Sequence, residues 1–221
     1  MQTKWSLWLR WVLANALGEL VGLCVPMAAF ALLATQLWDI TRAGPVLAVF
    51  ALDVAASAFE ATTVGLLQWW AMHPWLSSIT RRSWWLATLG GSLVAFGVSI
   101  LPPMLMSMRS QGVQAPMTEP SQGNVLLLAA GMGLVTGAVI AFAQWFVLRG
   151  KVMKAGLWIP ANMLAWAFGT PVIFWTNDIA RQGQPIWLSV LLTSGGLLLT
   201  GAVVGAVQGA FLVSLLKTGK S

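Results

Sequence analysis

Apolar residues run with little interruption over 11–37, 45–70, 84–105, 125–148, 157–175 and 186–216, and short polar segments separate the runs. A helix needs about 20 consecutive apolar residues to cross the hydrocarbon core of a bilayer. Each run is about that long or longer, so the pattern predicts six transmembrane helices and an all-α fold. The last run is long enough to tilt or to extend beyond the bilayer.

Composition agrees with this placement. Apolar residues make up 58% of the chain and charged residues 8%. A soluble domain carries about 25% charged residues to cover its surface. The net charge of +6 does not point to nucleic acid, because the basic residues lie in the short segments between apolar runs. On one side fall Lys4, Arg10, Arg81, Arg82, Arg149, Lys151, Lys154, Lys217 and Lys220. On the other, Asp39, Arg42, Arg109, Glu119, Asp178 and Arg181 balance one another. The positive-inside rule places the first set, and with it both termini, in the cytoplasm, which suits a bacterial inner membrane, cytoplasmic or photosynthetic. The connection 106–124, rich in Pro, Gly, Ser and Gln, reads as an outer loop. The single cysteine, Cys24, excludes an internal disulfide.

Tryptophan is unusually frequent, with 14 residues and no tyrosine. Trp69, Trp70, Trp84, Trp85, Trp145 and Trp158 fall near the ends assigned to the cytoplasm, together with Trp5, Trp8, Trp11 and Trp75; Trp38, Trp175 and Trp187 mark the other face. Indoles favour the headgroup level, so an anchoring belt is expected. A sharper alternative is a stacking surface for a flat hydrophobic ligand such as a quinone, carotenoid or chlorin pigment.

The spans repeat in pairs. Trp11-Val12-Leu13-Ala14-Asn15 recurs as Trp84-Trp85-Leu86-Ala87-Thr88 and as Trp158-Ile159-Pro160-Ala161-Asn162. Small residues follow at Gly18, Gly91 and Ala165, and again at Gly22, Ala95 and Gly169. The even-numbered spans share Gln68, Gln144 and Gln208, preceded by Gly65, Ala141 and Gly205 and by Ala61, Gly137 and Gly201. Small residues four apart let helices approach closely. The chain therefore reads as a single transmembrane domain, 1–221, built from three antiparallel helix pairs at roughly 5–76, 77–152 and 153–221. The expected architecture is a pseudo-threefold six-helix bundle. Asn15, Thr88, Asn162, Gln68, Gln144 and Gln208 should form a polar layer at one depth, bonded across helices.

The elements Trp11 to Asn15, Trp158 to Asn162 and Gln144-Trp145-Phe146-Val147-Leu148-Arg149 resemble a family of tryptophan-rich bacterial polytopic membrane proteins with paired W-x-x-A-N and Q-W-x-x-L-R elements. The middle copy departs at Thr88, and the third lacks the Trp and Arg around Gln208. The resemblance implies an architecture and no activity.

Three acids break the symmetry. Glu19, Asp53 and Glu60 lie within the first two spans, where charge is costly and its presence is a functional hypothesis. Positions matching Glu19 hold Ser92 and Trp166; those matching Glu60 hold Thr136 and Thr200. Glu19 lies eight residues in from Trp11 and Glu60 ten in from Trp70. Both are therefore roughly 12–15 Å from the same boundary, where neighbouring antiparallel helices can bring them together. Asp53, Ser57 and Glu60 fall on one stripe of the second helix. With no Lys or Arg mid-span, these acids are neutral and bonded to a backbone carbonyl or an amide such as Asn15 or Gln68, or they bind a proton or a hard cation, or they contact a partner subunit.

His73 is the lone histidine, so paired-histidine haem ligation and a His-rich metal site are excluded within one chain. No P-loop, G-x-S-x-G, H-E-x-x-H or G-x-G-x-x-G occurs, and an enzymatic role is not expected. No cofactor is assigned. The expected function is binding or translocation of a proton, cation or small amphipathic solute at Glu19, Glu60, Asp53 and Ser57, in a cavity between the first two helices flanked by Pro26 and Pro102-Pro103. The alternative is an accessory subunit of a larger photosynthetic or respiratory membrane complex, contacting lipid, pigment or partner helices through its Trp-rich edge.

Overall fold

A computed structural model describes residues 3–40, 45–109, 120–181 and 183–217, and side chains within these except at 32–40, 45–49, 101–109 and 217. The expectations placed on Trp38, Asp39, Arg42, Pro102-Pro103, Arg109, Glu119, Lys217 and Lys220 fall outside the described residues or side chains. Among the described residues the regular structure is helical: α1 (Lys4–Ile40), α2 (Pro45–Met72), α3 (Arg81–Arg109), α4 (Gln122–Leu148), a single 3₁₀ turn (Ala155–Leu157), α5 (Trp158–Arg181) and α6 (Ile186–Lys217). All six α-helices are long and apolar enough to cross a membrane, and the protein is an integral membrane protein.

The helix ends follow local chemistry. Pro45 opens α2, where its missing N–H costs nothing. Ser121 caps α4 by accepting from the backbone N–H of Asn124. Beyond α4 and α5 the chain turns at Gly150 (φ 78°) and Gly183 (φ 67°), left-handed conformations that glycine adopts without a Cβ penalty. Several helices outrun their apolar stretches: Arg10 lies within α1, and Asp178 and Arg181, read from sequence as loop residues, belong to the last turns of α5. Helical hydrogen bonding does not stop at the apolar boundary, so polar ends extend the helix into the interface.

Each helix packs chiefly against its neighbours in sequence, and α6 returns to α1, closing a ring. On α1 one stripe, Leu7, Trp11, Asn15 and Glu19, is buried, while Leu9, Leu13, Leu17 and Val21 are exposed. In water that outer stripe would drive aggregation; against lipid it carries no penalty. Close approach depends on small residues. A Cβ on Gly18 would meet Val64 Cγ2 at 3.0 Å, one on Gly91 the Cα of Ile140 at 2.9 Å, and one on Gly201 the Cα of Ala16 at 2.6 Å. These contacts join α1 to α2, α3 to α4 and α6 to α1, with the chains antiparallel.

The main hydrophobic core lies at one end of the ring. Leu7, Trp11, Met72, Ile79, Trp84, Leu148, Trp158 and Leu212 form it, beneath the connections 73–80 and 149–157. Arg10 lies over Trp70 with its guanidinium 4.3 Å from the ring centroid, and Lys151 donates to the Ser78 carbonyl, so basic side chains collect at this end.

Candidate functional site: an axial cavity above a tryptophan cap

Trp11, Trp84 and Trp158 each lie on the inward stripe of an odd-numbered helix. All three are fully buried and meet edge to face, with ring centroids 6.2, 5.7 and 6.1 Å apart. Each such contact contributes about 0.5–1.5 kcal/mol beyond burial. The indole N–H groups need acceptors inside this core, and the three glutamines of the even-numbered helices supply them. Trp11 Nε1 donates to Gln208 Oε1 (3.2 Å), Trp84 Nε1 to Gln68 Oε1 (3.2 Å) and Trp158 Nε1 to Gln144 Oε1 (2.8 Å). Each glutamine amide then donates onward: Gln208 to Asn162 Oδ1 (2.6 Å), Gln68 to Asn15 Oδ1 (2.9 Å) and Gln144 to Thr88 Oγ1 (3.0 Å). Asn162, Asn15 and Thr88 return to the carbonyls of Trp158, Trp11 and Trp84 one turn back. The result is a closed hydrogen-bonded circuit through all six helices.

Above this circuit lies a cavity of about 200 Å³, with Gln68, Thr88, Gln144, Asn162 and Gln208 in its floor. Every helix contributes to its lining, so it sits on the axis of the ring and not between the first two helices as the sequence suggested. The walls are unequal: Glu19, Ser57 and Glu60 come from α1 and α2, and Ser92, Phe96, Thr136 and Trp166 from the other helices.

Glu19 and Glu60 line the cavity from neighbouring helices, α1 and α2, which approach closely at Gly22. Glu19 is 1% exposed, and its Oε2 has no hydrogen-bond partner among the described residues. Two carboxyls can hydrogen-bond only by sharing a proton; a cation between them is the other way to offset their proximity. Asn15 and Gln68, considered as amide partners for the acids, bond to each other instead.

Asp53 is not part of this site. It is exposed and lines an outward groove between α1 and α2 with Pro26, Phe30 and Phe59. Helices that cross at an angle touch closely only near their crossing point, so one stripe faces the axis at Glu60 and the groove two turns on. Trp84 and Trp158, expected at a lipid- or ligand-facing edge, are core residues because their indoles find acceptors there. The other edge tryptophans are partly or largely exposed: Trp69 stacks on His73, Trp70 lies under Arg10, Trp85 donates to Thr62, and Trp145 packs on Phe142 and Phe146.

Phe96 and Ser99 were not anticipated in the site. Ser92, Trp166 and Thr136 were visible only as counterparts of Glu19 and Glu60; that equivalence was the signal, since positions matched in a ring face the same axis. Comparison with known proteins finds no matching family model, no matching curated protein and no matching solved structure.

Proposed function

We propose that this membrane protein is a non-enzymatic binding and transport protein that exchanges a proton for a cationic solute at the Glu19–Glu60 pair. The observation that carries the reading is a buried carboxyl, Glu19, with one oxygen unpartnered, joined by the half-buried Glu60 in the lining of an axial cavity. With the cavity unloaded, the two carboxyls share a proton; an entering cation takes its place and the proton leaves. Among the described residues, Glu19 and Glu60 are the titratable groups in the cavity lining, and no lysine or arginine lines it. The tryptophan cap and amide circuit close one end of the cavity, which favours a gated binding site over an open pore. By the positive-inside rule, the capped end, with Arg10, Arg149 and Lys151, faces the cytoplasm of a bacterial inner membrane.

The test is exchange in proteoliposomes carrying an internal pH dye. Vesicles with the wild-type protein should release internal protons when an accepted cation is added outside; vesicles with Glu19→Gln plus Glu60→Gln should not. Equal responses from both would reject the reading. An accessory-subunit role is the second reading, resting on the edge formed by the exposed Trp70 and Phe146 and the half-buried Trp145; burial of Trp84 and Trp158 leaves that edge smaller than the sequence suggested.

A further inference from the structure

We infer that the axial cavity takes a small organic ammonium ion and not a bare metal ion. The inference rests on the cavity being a cation site and names the class of cation.

Size is the first argument. A cavity of about 150 Å³ holds benzene. This one, at about 200 Å³, has room for a somewhat larger molecule. A dehydrated Na⁺ or Ca²⁺ would fill a small part of it and would need oxygen ligands closing in from all sides, at about 2.3–2.6 Å for Ca²⁺. Among the described residues there is no group of three or more His, Cys, Asp or Glu side chains able to hold a metal.

The unequal walls are the second argument. Glu19 and Glu60 concentrate negative charge on the α1–α2 side of the lining, and Glu19 Oε2 is buried there without a hydrogen-bond partner. Trp166 and Phe96 bring aromatic rings from α5 and α3. Carboxyls and aromatic side chains from different helices in one lining suit an alkylated ammonium. Its N–H or polarised C–H groups meet the acids, and its positive charge is attracted to the ring faces. A metal ion gains little from rings it cannot approach without shedding its oxygen ligands. Ser92 and Thr136 add hydroxyls that can bond either the carboxylates or a polar group on the ligand.

The experiment is calorimetric titration of the full chain in detergent with tetramethylammonium, n-butylammonium, sodium, potassium, calcium and the neutral 1-butanol. Both ammonium ions should bind more tightly than any of the metals or 1-butanol. Glu19→Gln should weaken ammonium binding about 10- to 100-fold, the value of a charge-assisted hydrogen bond. Trp166→Leu should weaken tetramethylammonium about 2- to 30-fold, the range of a cation–π contact, and Phe96→Leu asks the same question if that variant does not fold. Tighter Glu19-dependent binding of sodium, potassium or calcium would overturn the ammonium assignment and leave the cation site standing. Equal affinity for 1-butanol and n-butylammonium would overturn it as well. Absence of Glu19-dependent binding by every cation would overturn both this inference and the function it rests on.

Discussion

Glu60 can face Glu19 because α2 crosses α1 on Gly22: a Cβ at that glycine would stand 2.9 Å from the Glu60 Cα. The acid pair is thus a consequence of backbone proximity. Gly22→Val should push α2 outward, costing about 1–3 kcal/mol through overpacking, and should weaken cation binding although neither acid is changed. Gly90→Ala, where a Cβ meets nothing within 4 Å, should leave both properties intact. Reversible unfolding in mixed detergent micelles, followed by helical circular dichroism, measures the first effect.

The amide circuit is a second point of exposure. Gln208→Leu removes the acceptor of Trp11 Nε1 and the donor to Asn162 Oδ1 together. Buried groups left unpaired cost about 1–3 kcal/mol each in water-soluble proteins, and somewhat less is expected where the membrane-unfolded chain finds other partners. The same unfolding assay should show a loss of about 1–2 kcal/mol for Gln208→Leu, with a similar loss for Gln144→Leu.

Opening the cap should change permeability as well as stability. Trp84→Ala removes one member of the edge-to-face triad beneath the cavity, and a large-to-small change of this kind costs about 3–5 kcal/mol. Vesicles containing folded Trp84→Ala should leak protons faster than wild-type vesicles when read with an internal pH dye. Unchanged leak would show that the triad is packing and not a barrier.

Asp53 separates the axial reading from the sequence reading. Asp53→Asn should leave cation affinity unchanged, since Asp53 faces the outer groove, whereas Glu60→Gln should weaken it about 10- to 100-fold. Equal losses in the two variants would return Asp53 to the site.

How much of this was legible in the sequence depends on the kind of interaction. The six spans follow from hydropathy alone, and Asn15, Thr88, Asn162 and the three glutamines were identifiable as a layer because matched positions share a depth. Trp84 and Trp158 were misplaced because the statistical preference of indole for interfaces competes with a specific bond. Their position four residues before Thr88 and Asn162 puts them on the inward stripe, and that spacing was the available clue. Glu19 and Glu60 could be paired from depth and adjacency. Asp53 could not be separated from them by helical phase, because which neighbour a stripe faces depends on the crossing angle of two helices. The axial cavity was not legible from any one helix pair, since it exists only once α6 closes on α1.

The exchange of a proton for a cation at one shared site is the claim on which the account turns. Titrating the purified protein with n-butylammonium in two buffers of different ionisation enthalpy counts protons released per cation bound. The account predicts release of a proton with each cation by the wild-type protein, and binding weakened about 10- to 100-fold without coupled proton release in Glu19→Gln and in Glu60→Gln alike. Cation binding by the wild-type protein without proton release, or wild-type behaviour in either variant, would contradict it.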